Sequence, residues 1–322
     1  MGAEASAVMG LPSYVQDLGH GVYAIDTGFQ RDHFDAAYLV VEAGRAAFVD
    51  TGTNFAVPRL LQALTGLGLA PEAVDWVIPT HVHLDHAGGV GLLMQSLPSA
   101  RVLVHPRGLR HLADPSVLYQ GALAVYGQAE MDRSYGVLVP VAADRLQASE
   151  DGLVVELAGR PLRLIDTPGH ARHHHCVWDE RSRGWFTGDT FGLSYRELDH
   201  EGRPWVLPTT TPVQFEPDPL HRSLDRLMQA DPQCMYLTHY GRIGEVATAA
   251  ANLHRLIDAL VSGARPLRDV PRRHDALKAM QLDLYTASLQ AHGLALTRDE
   301  VADCLALDLE LNAQGLAVWL DR

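Results

Sequence analysis

The stretch Thr80-His81-Val82-His83-Leu84-Asp85-His86 decides how the rest of the sequence is interpreted. It places four side chains of metal-ligand type within six residues, directly after a short apolar run that predicts a buried strand. Side chains alternate in direction along an extended segment, so we expect His81 and His83 to share one direction. Asp85 and His86 then turn towards a neighbouring position. The spacing therefore predicts two adjacent cation sites.

Four ligands from one loop cannot complete two cation shells, because a catalytic zinc ion takes about three protein ligands and keeps a position open for water. Three further candidates follow predicted strands, and functional side chains are often held on loops at such strand ends. These candidates are His170 after Leu162–Asp166, Asp189 after Trp185–Phe186, and His239 after Cys234–Tyr236.

The order of strand and helix patterns predicts an α/β protein. Short β-type runs, separated by turn residues and followed by amphipathic helical spacing, occur twice in the first two-thirds of the chain. Such a repeat favours two packed sheets with helices outside, an αββα four-layer sandwich. The runs include Val22–Asp26, Ala37–Glu42, Ala46–Asp50, Trp76–Pro79 and Arg101–His105, and later Leu153–Leu157, Leu162–Asp166, His175–Asp179, Trp185–Gly188 and Cys234–Thr238.

The C-terminal part has a different pattern. From about Gly244 the β signal stops, and helical spacing predicts helices at Ala247–Ser262, Asp275–His292 and Thr297–Leu320. Thr297 followed by Glu300 has the form of a capping box. We therefore predict a catalytic domain over residues 1–245 and a helical C-terminal extension over residues 246–322.

Composition limits the classes of function. The 322 residues carry a formal net charge of −13, which repels phosphate backbones and argues against a nucleic-acid partner. No apolar run is long enough to span a bilayer, and Met1 to Gly19 lacks the features of a secretory signal, so we expect no membrane association. The three cysteines are sparse and form no CxxC pair, which fits a reducing, cytoplasmic location. Seventeen histidines agree with a role for metal.

The ligand series resembles that of the metallo-β-lactamase superfamily, in the order in which the motifs occur. The resemblance covers roughly residues 20–245 and includes the early Val49-Asp50-Thr51-Gly52. It implies that a first metal takes His81, His83 and His170, that a second takes Asp85, His86 and His239, and that Asp189 bridges both. The helical extension is similar in architecture to that of hydroxyacylglutathione hydrolases (glyoxalase II), although no cationic glutathione-binding pattern can be matched.

Two cations roughly 3.5–4 Å apart can hold a shared water as hydroxide and polarise an electrophile. We therefore expect a metal-dependent hydrolase acting on a small ester, thioester or lactone. Asp85 could orient the water or carry a proton to the leaving group, and Tyr195 could donate to an oxyanion. Imidazole and carboxylate ligands without thiolate suit zinc, iron, manganese, cobalt or nickel. We take zinc as the first expectation for the two divalent ions, with iron or manganese possible.

Other residues are predicted to support this site. Asp50 could accept from a ligand histidine, or it could simply cap its turn. His174 is the member of His173-His174-His175 that we expect behind the ligands. The long segment Phe191–Pro219 is the expected source of substrate specificity. Within it, Pro208-Thr209-Thr210-Thr211-Pro212 is either a rigid substrate loop or ordinary turn material.

The main alternative is an iron-dependent redox enzyme of the same fold, either persulfide-dioxygenase-like or a di-iron oxidoreductase. His83 with the Asp85-His86 pair favours hydrolysis, because oxygen-reducing di-iron relatives usually carry a different ligand set. A third hypothesis is a metal-binding sensor that catalyses no reaction. The expected partner is a small-molecule substrate, and a homodimer is possible.

Overall fold

The computed structural model describes residues 10–210 and 213–322, so Thr211 and Pro212 of the predicted threonine loop lie outside the described residues, as does the start of the N-terminal segment. The chain divides into two compact units. The first comprises Met1–Leu164 with Asp179–Ser182, and the second comprises Ile165–Trp178 with Arg183–Arg322. The division into domains at residue 245 stays a prediction.

A seven-stranded mixed sheet lies in the first unit, with its strands in chain order. The first four strands pair antiparallel, each with the next along the chain, and the remaining pairs are parallel. Its middle strands are buried because their residues are apolar on both faces. The strands are β1 (Val15–Asp17), β2 (Val22–Asp26), β3 (Ala36–Glu42), β4 (Arg45–Val49), β5 (Val74–Ile78), β6 (Arg101–Val104) and β7 (Leu146–Ala148).

The helices of the first unit connect these strands. The longest amphipathic one turns Leu60 and Leu64 into a core that also contains Leu39, Phe48 and Val77. The helices are α1 (Val57–Gly66), α2 (Leu84–Ala87), α3 (Val90–Ser96), α4 (Leu109–Ala113), α5 (Ser116–Tyr126) and α6 (Gln128–Glu130), followed by a π-helical turn at Met131–Tyr135. Short 3-10 turns occupy Asn54–Ala56, Pro71–Ala73 and Ala143–Arg145.

A second sheet has six strands, in the order β13-β12-β11-β10-β9-β8. A hairpin joins the first two of these strands along the chain: β8 pairs antiparallel with β9, and the turn residues Ala158 and Gly159 both have positive φ, 49° and 87°. A two-residue loop with that backbone matches the twist of the strands it joins. The strands are β8 (Val154–Leu157), β9 (Arg160–Asp166), β10 (His175–Asp179), β11 (Gly184–Gly188), β12 (Cys234–Leu237) and β13 (Gly241–Ile243).

The predicted C-terminal helices are present in the second unit. The last of them is interrupted at Leu305, and its N-terminus has the predicted capping box, with Glu300 N donating to Thr297 Oγ1 at 3.3 Å and Thr297 N donating to Glu300 Oε2 at 2.8 Å. The helices are α7 (Pro217–Met228), α8 (Val246–Ala264), α9 (Arg273–His292), α10 (Arg298–Cys304) and α11 (Ala306–Leu320), with 3-10 turns at Arg196–Leu198 and Arg265–Leu267. Across residues 10–210 and 213–322, none of the helices combines the length and apolar character that crossing a bilayer requires.

Candidate metal centre

The loop that carries the histidine motif follows β5 and leads into α2. His83 is the N-cap of α2, so His81 and His83 precede the helix while Asp85 and His86 lie in its single turn. Thr51 holds the turn in place, because its backbone N–H and hydroxyl both donate to the carbonyl of His86, at 2.8 and 3.0 Å. His81 Nε2 lies 2.8 Å from His83 Nδ1, which brings the first two imidazoles together.

Asp50 orients the ligand loop from beneath. Its backbone has φ 56°, the left-handed region that side chains other than glycine, asparagine and aspartate rarely adopt. The carboxylate accepts from Thr80 N at 2.7 Å, and its Oδ2 lies 2.8 Å from His86 Nδ1, with Asp50 and His86 at most 1% exposed. A carboxylate accepts, so His86 donates from Nδ1, which leaves its Nε2 lone pair available to coordinate a metal. This is the contact that the sequence predicted for Asp50.

The ligand candidates of the second unit lie around one carboxylate. Asp189 Oδ2 is 3.4 Å from His170 Nε2, and Asp189 Oδ1 is 3.8 Å from His239 Nε2. The two oxygens thus face different imidazoles, as a bridging carboxylate requires. Gly169 permits this position of His170, because it has φ 138° and an added Cβ would lie 2.4 Å from Leu220 Cα.

His174 supports Asp189 through the main chain. The side chain is fully buried, and its Nε2 accepts from the Asp189 backbone N–H at 3.2 Å. Nδ1 therefore carries the proton and faces the hydroxyls of Thr167 at 2.9 Å and Thr190 at 3.2 Å. The expectation that His174 lies behind the ligands agrees with this geometry.

Two groups of side chains could each hold a metal ion. In each group one ligand atom per residue lies within 4.8 Å of the others, and the chemistry of imidazole and carboxylate donors fits zinc, iron or manganese. The grouping is the one that the sequence resemblance implies, with Asp189 counted in the first group. The groups are His81, His83, His170 and Asp189, and Asp85, His86 and His239.

Tyr195 lies in a different setting from the one its predicted catalytic role assumes. Its side chain is fully buried, and its hydroxyl donates to Asp308 Oδ1 on α11 at 3.0 Å. This contact joins the segment after Asp189 to the C-terminal helices. It gives Tyr195 an anchoring function, while its action on an oxyanion stays a prediction.

Tyr135 is a residue that sequence reasoning missed. It is 4% exposed, packs against Phe29 and Tyr126, and lies near the Asp85 carboxylate. Burial raises the pKa of its hydroxyl strongly, with further contributions from Tyr126 and Asp85, so the group stays protonated at neutral pH. It lies in a π-helical turn without a motif, and no sequence signal pointed to it.

Comparison with known proteins identifies the family. The sequence model of the metallo-beta-lactamase superfamily matches residues 30–239, more than half of the chain. The metallo-beta-lactamase fold-containing protein ST1585 of Sulfurisphaera tokodaii is 31% identical over 53% of this chain and 62% of its own. The solved structure of ST1585 superposes with a TM-score of 0.63 at 22% identity, over 92% of this chain and 98% of that one.

Two other relatives have names that state an activity. The atrochrysone carboxyl ACP thioesterase of Aspergillus fumigatus is 28% identical over 56% of this chain and 42% of its own, and the acyl-coenzyme A thioesterase MBLAC2 of Gallus gallus is 27% identical over 53% and 63%. This chain thus spans less than two thirds of the length of each curated relative described. The family match, the shared fold and a His/Asp cluster able to bind metal agree, and the chain belongs to the metallo-beta-lactamase superfamily.

Proposed function

We propose that this protein is a metal-dependent hydrolase of small acyl esters, and of thioesters in particular. The observation that carries the proposal is the division of seven histidine and aspartate side chains into two groups, each able to hold a cation. The names of two relatives, both thioesterases, favour thioesters over simple esters and lactones. A thioester also has a good leaving group, so the site need only supply the nucleophile and stabilise charge at the carbonyl oxygen.

The chemistry follows from what each residue can do. A divalent pair, when bound, supplies Lewis acidity and a hydroxide at neutral pH. His81, His83, His170, His86 and His239 would hold the ions with Asp189. Asp85 would orient the attacking water and pass a proton to the departing thiolate. Its carboxylate suits that task, because it is 25% exposed whereas His86 beside it is fully buried.

The reaction consumes one water. Its oxygen forms a bond to the thioester carbonyl carbon, the carbon–sulfur bond breaks with its electron pair on sulfur, and the proton neutralises the thiolate. The products are a carboxylic acid and a free thiol. The chain then needs no serine or cysteine nucleophile of its own.

The test is hydrolysis by protein whose metal content has been measured. We expect thioester turnover that is lost after chelation and returns when zinc, iron or manganese is added back. His83→Ala and Asp189→Asn should reduce turnover to the uncatalysed background, whereas His20→Asn, an exposed histidine, should not change it. A fully active Asp189→Asn variant would overturn the ligand assignment. Bound iron with oxygen consumption and no hydrolysis would favour the redox alternative.

A further inference from the structure

A cationic cavity lies within the second unit, apart from the metal ligands. It has a volume of about 710 Å³ and is formed by the first turn of α7, the 3-10 turn after α8, and the end of α11. Three arginines line it, Arg265, Arg268 and Arg322, together with the indole of Trp319. In a chain of net charge −13, three guanidinium groups around one cavity form a local exception.

The arginines keep donors available for a ligand. Arg268 Nε donates to the Leu320 carbonyl at 2.6 Å, and Arg322 donates to the carbonyls of Phe215 and Val213. These bonds fix the side chains without neutralising them, and a guanidinium has five N–H donors. Within the part of the chain that the structure describes, the side chain of Arg265 forms no hydrogen bond or ion pair, and its Cζ lies 6.0 Å from the Trp319 ring centre.

The acidic residues of the cavity leave a positive balance. Glu216 lines it but is paired with Arg172, whose Nη2 lies 2.6 Å from Glu216 Oε1. Asp218 contributes one further carboxylate at the rim. The lining thus carries three cations and an indole against two carboxylates, one of which is paired with Arg172. Such a lining suits a ligand with several phosphate charges and a planar ring, because a guanidinium group binds two phosphate oxygens at once and an indole stacks on a flat ring.

The cavity is connected to a metal-ligand loop by α7. Glu216 N donates to the Gly169 carbonyl at 2.8 Å, and Ser223 Oγ donates to the Pro168 carbonyl at 2.7 Å. Gly169 precedes the ligand His170 and packs directly on Leu220. The helix that lines the cavity with its first turn therefore also supports the loop of a candidate metal ligand.

We propose that this cavity binds the nucleotide end of the thioester substrate, a purine nucleoside carrying several phosphates such as that of coenzyme A. Arg265, Arg268 and Arg322 bind the phosphates, and Trp319 stacks on the base. The volume is in the range of pockets that hold ligands of this size. That this nucleotide belongs to the thioester substrate rests on the proposed thioesterase function. The preference of the cavity for a nucleotide rests only on its arginine and tryptophan lining.

The first experiment measures binding alone, by titration calorimetry of the metal-loaded full chain with ADP, adenosine and inorganic phosphate. ADP should bind, and Arg265→Gln and Trp319→Phe should each weaken it by about tenfold, the effect of losing one charge-assisted contact or stacking partner. Arg222→Gln removes the same charge from an exposed position on α7 and should leave binding unchanged. Equal ADP binding by the parent and Arg265→Gln would overturn the proposal, as would phosphate binding as tightly as ADP.

The second experiment compares an acyl-coenzyme A with the same acyl group on N-acetylcysteamine, which lacks a nucleotide. Arg265→Gln should raise KM about tenfold for the first substrate and leave it unchanged for the second. If the variants weaken ADP binding but no substrate is hydrolysed, the result would support nucleotide binding in the cavity and contradict the proposed hydrolase function. If both substrates are hydrolysed and Arg265→Gln changes KM for neither, the result would support the proposed hydrolase function and contradict nucleotide binding in the cavity.

Discussion

At the scale of single residues, the centre depends on side chains that do not themselves bind metal. Asp50 holds His86 and Thr80 at once, and His174 holds the backbone of Asp189. Contacts behind a ligand orient it and raise its basicity. An aspartate at the end of a strand can also simply cap a turn, so the function of Asp50 follows from its contacts with Thr80 and His86.

Asp50→Asn is expected to weaken metal binding about 10- to 100-fold, since the carboxylate behind His86 is lost. Asparagine is the appropriate substitution, because it tolerates the left-handed backbone that Asp50 adopts. Competition with a chromophoric chelator measures the affinity. Asp32→Asn, on an exposed loop, is the control, and an Asp50→Asn affinity equal to that of this control would contradict the orienting function.

Tyr195→Phe separates an anchoring function from a catalytic one. Loss of the hydrogen bond to the buried Asp308 should destabilise the protein by about 1–3 kcal/mol, measured by denaturant unfolding. We expect kcat to change less than twofold. A kcat reduced more than tenfold with unchanged stability would instead establish the catalytic role that the sequence suggested.

The candidate metal ligands of the loop could be recognised in the sequence because their spacing is local and restrictive. Four metal-ligating side chains within six residues leave few other interpretations. The partner of Tyr195 could not be predicted, because Asp308 lies 113 residues away and belongs to no motif. Distant pairs of this kind are decided by packing, which one sequence does not show.

At the scale of elements, much of the segment Phe191–Pro219 is buried, and its expected role in substrate specificity stays a prediction. Trp205 and Phe215 are each 1% exposed, and Trp205 Nε1 donates to Ser288 Oγ at 3.1 Å. Thr210 N donates to Asn312 Oδ1 at 2.6 Å. Large parts of the segment therefore form a core with the C-terminal helices. Its lack of periodicity reflected irregular packing rather than exposure.

Asn312 is the polar residue on which this packing depends most. It accepts from Thr210 and donates to the Pro208 carbonyl at 3.2 Å while 1% exposed. Asn312→Ala should lower the free energy of unfolding by about 1–3 kcal/mol, because buried polar partners lose their bonds. Gln314→Ala, on the same helix, removes a hydrogen bond to the partly exposed Glu310 and should cost less than about 0.5 kcal/mol. Equal effects of the two substitutions would be inconsistent with this account.

Contacts between α9 and α11 should weaken in acid. Hydrogen bonds from Lys278 and Gln314 chiefly, with help from His274, lower the pKa of Glu310 from 4.5 to about 2. A lowered pKa in the folded state stabilises the protein above the unfolded value, and this stabilisation is lost as pH falls from about 4.5 towards 2. Glu310→Gln should therefore lower Tm at pH 7 by about 1–3 °C.

The pH dependence supplies the check on Glu310. The difference in Tm between the parent and Glu310→Gln should narrow when melting is repeated towards pH 3. Glu72→Gln, at an exposed position in another part of the chain, should show almost no difference at either pH. If the difference in Tm between the parent and Glu310→Gln stays constant from pH 7 to pH 3, the lowered pKa of Glu310 would be contradicted.

At the scale of the whole molecule, the sequence predicted the fold class correctly and left the internal organisation open. Period-two and helical patterns identified most strands and the C-terminal helices, because they report local burial. The two compact units could not be foreseen, since their division at Leu164 lies inside β9, where no linker composition occurs. The net charge of −13 likewise gave no hint of the cationic cavity, because a sum over the chain conceals local arrangement.

The central claim is that the candidate metal centre hydrolyses thioesters. The most direct test is the rate at which protein of known metal content hydrolyses an acyl-coenzyme A. We predict turnover that chelation abolishes, that added metal restores, and that Asp189→Asn lacks. Absence of thioester hydrolysis by protein carrying two equivalents of zinc would contradict it.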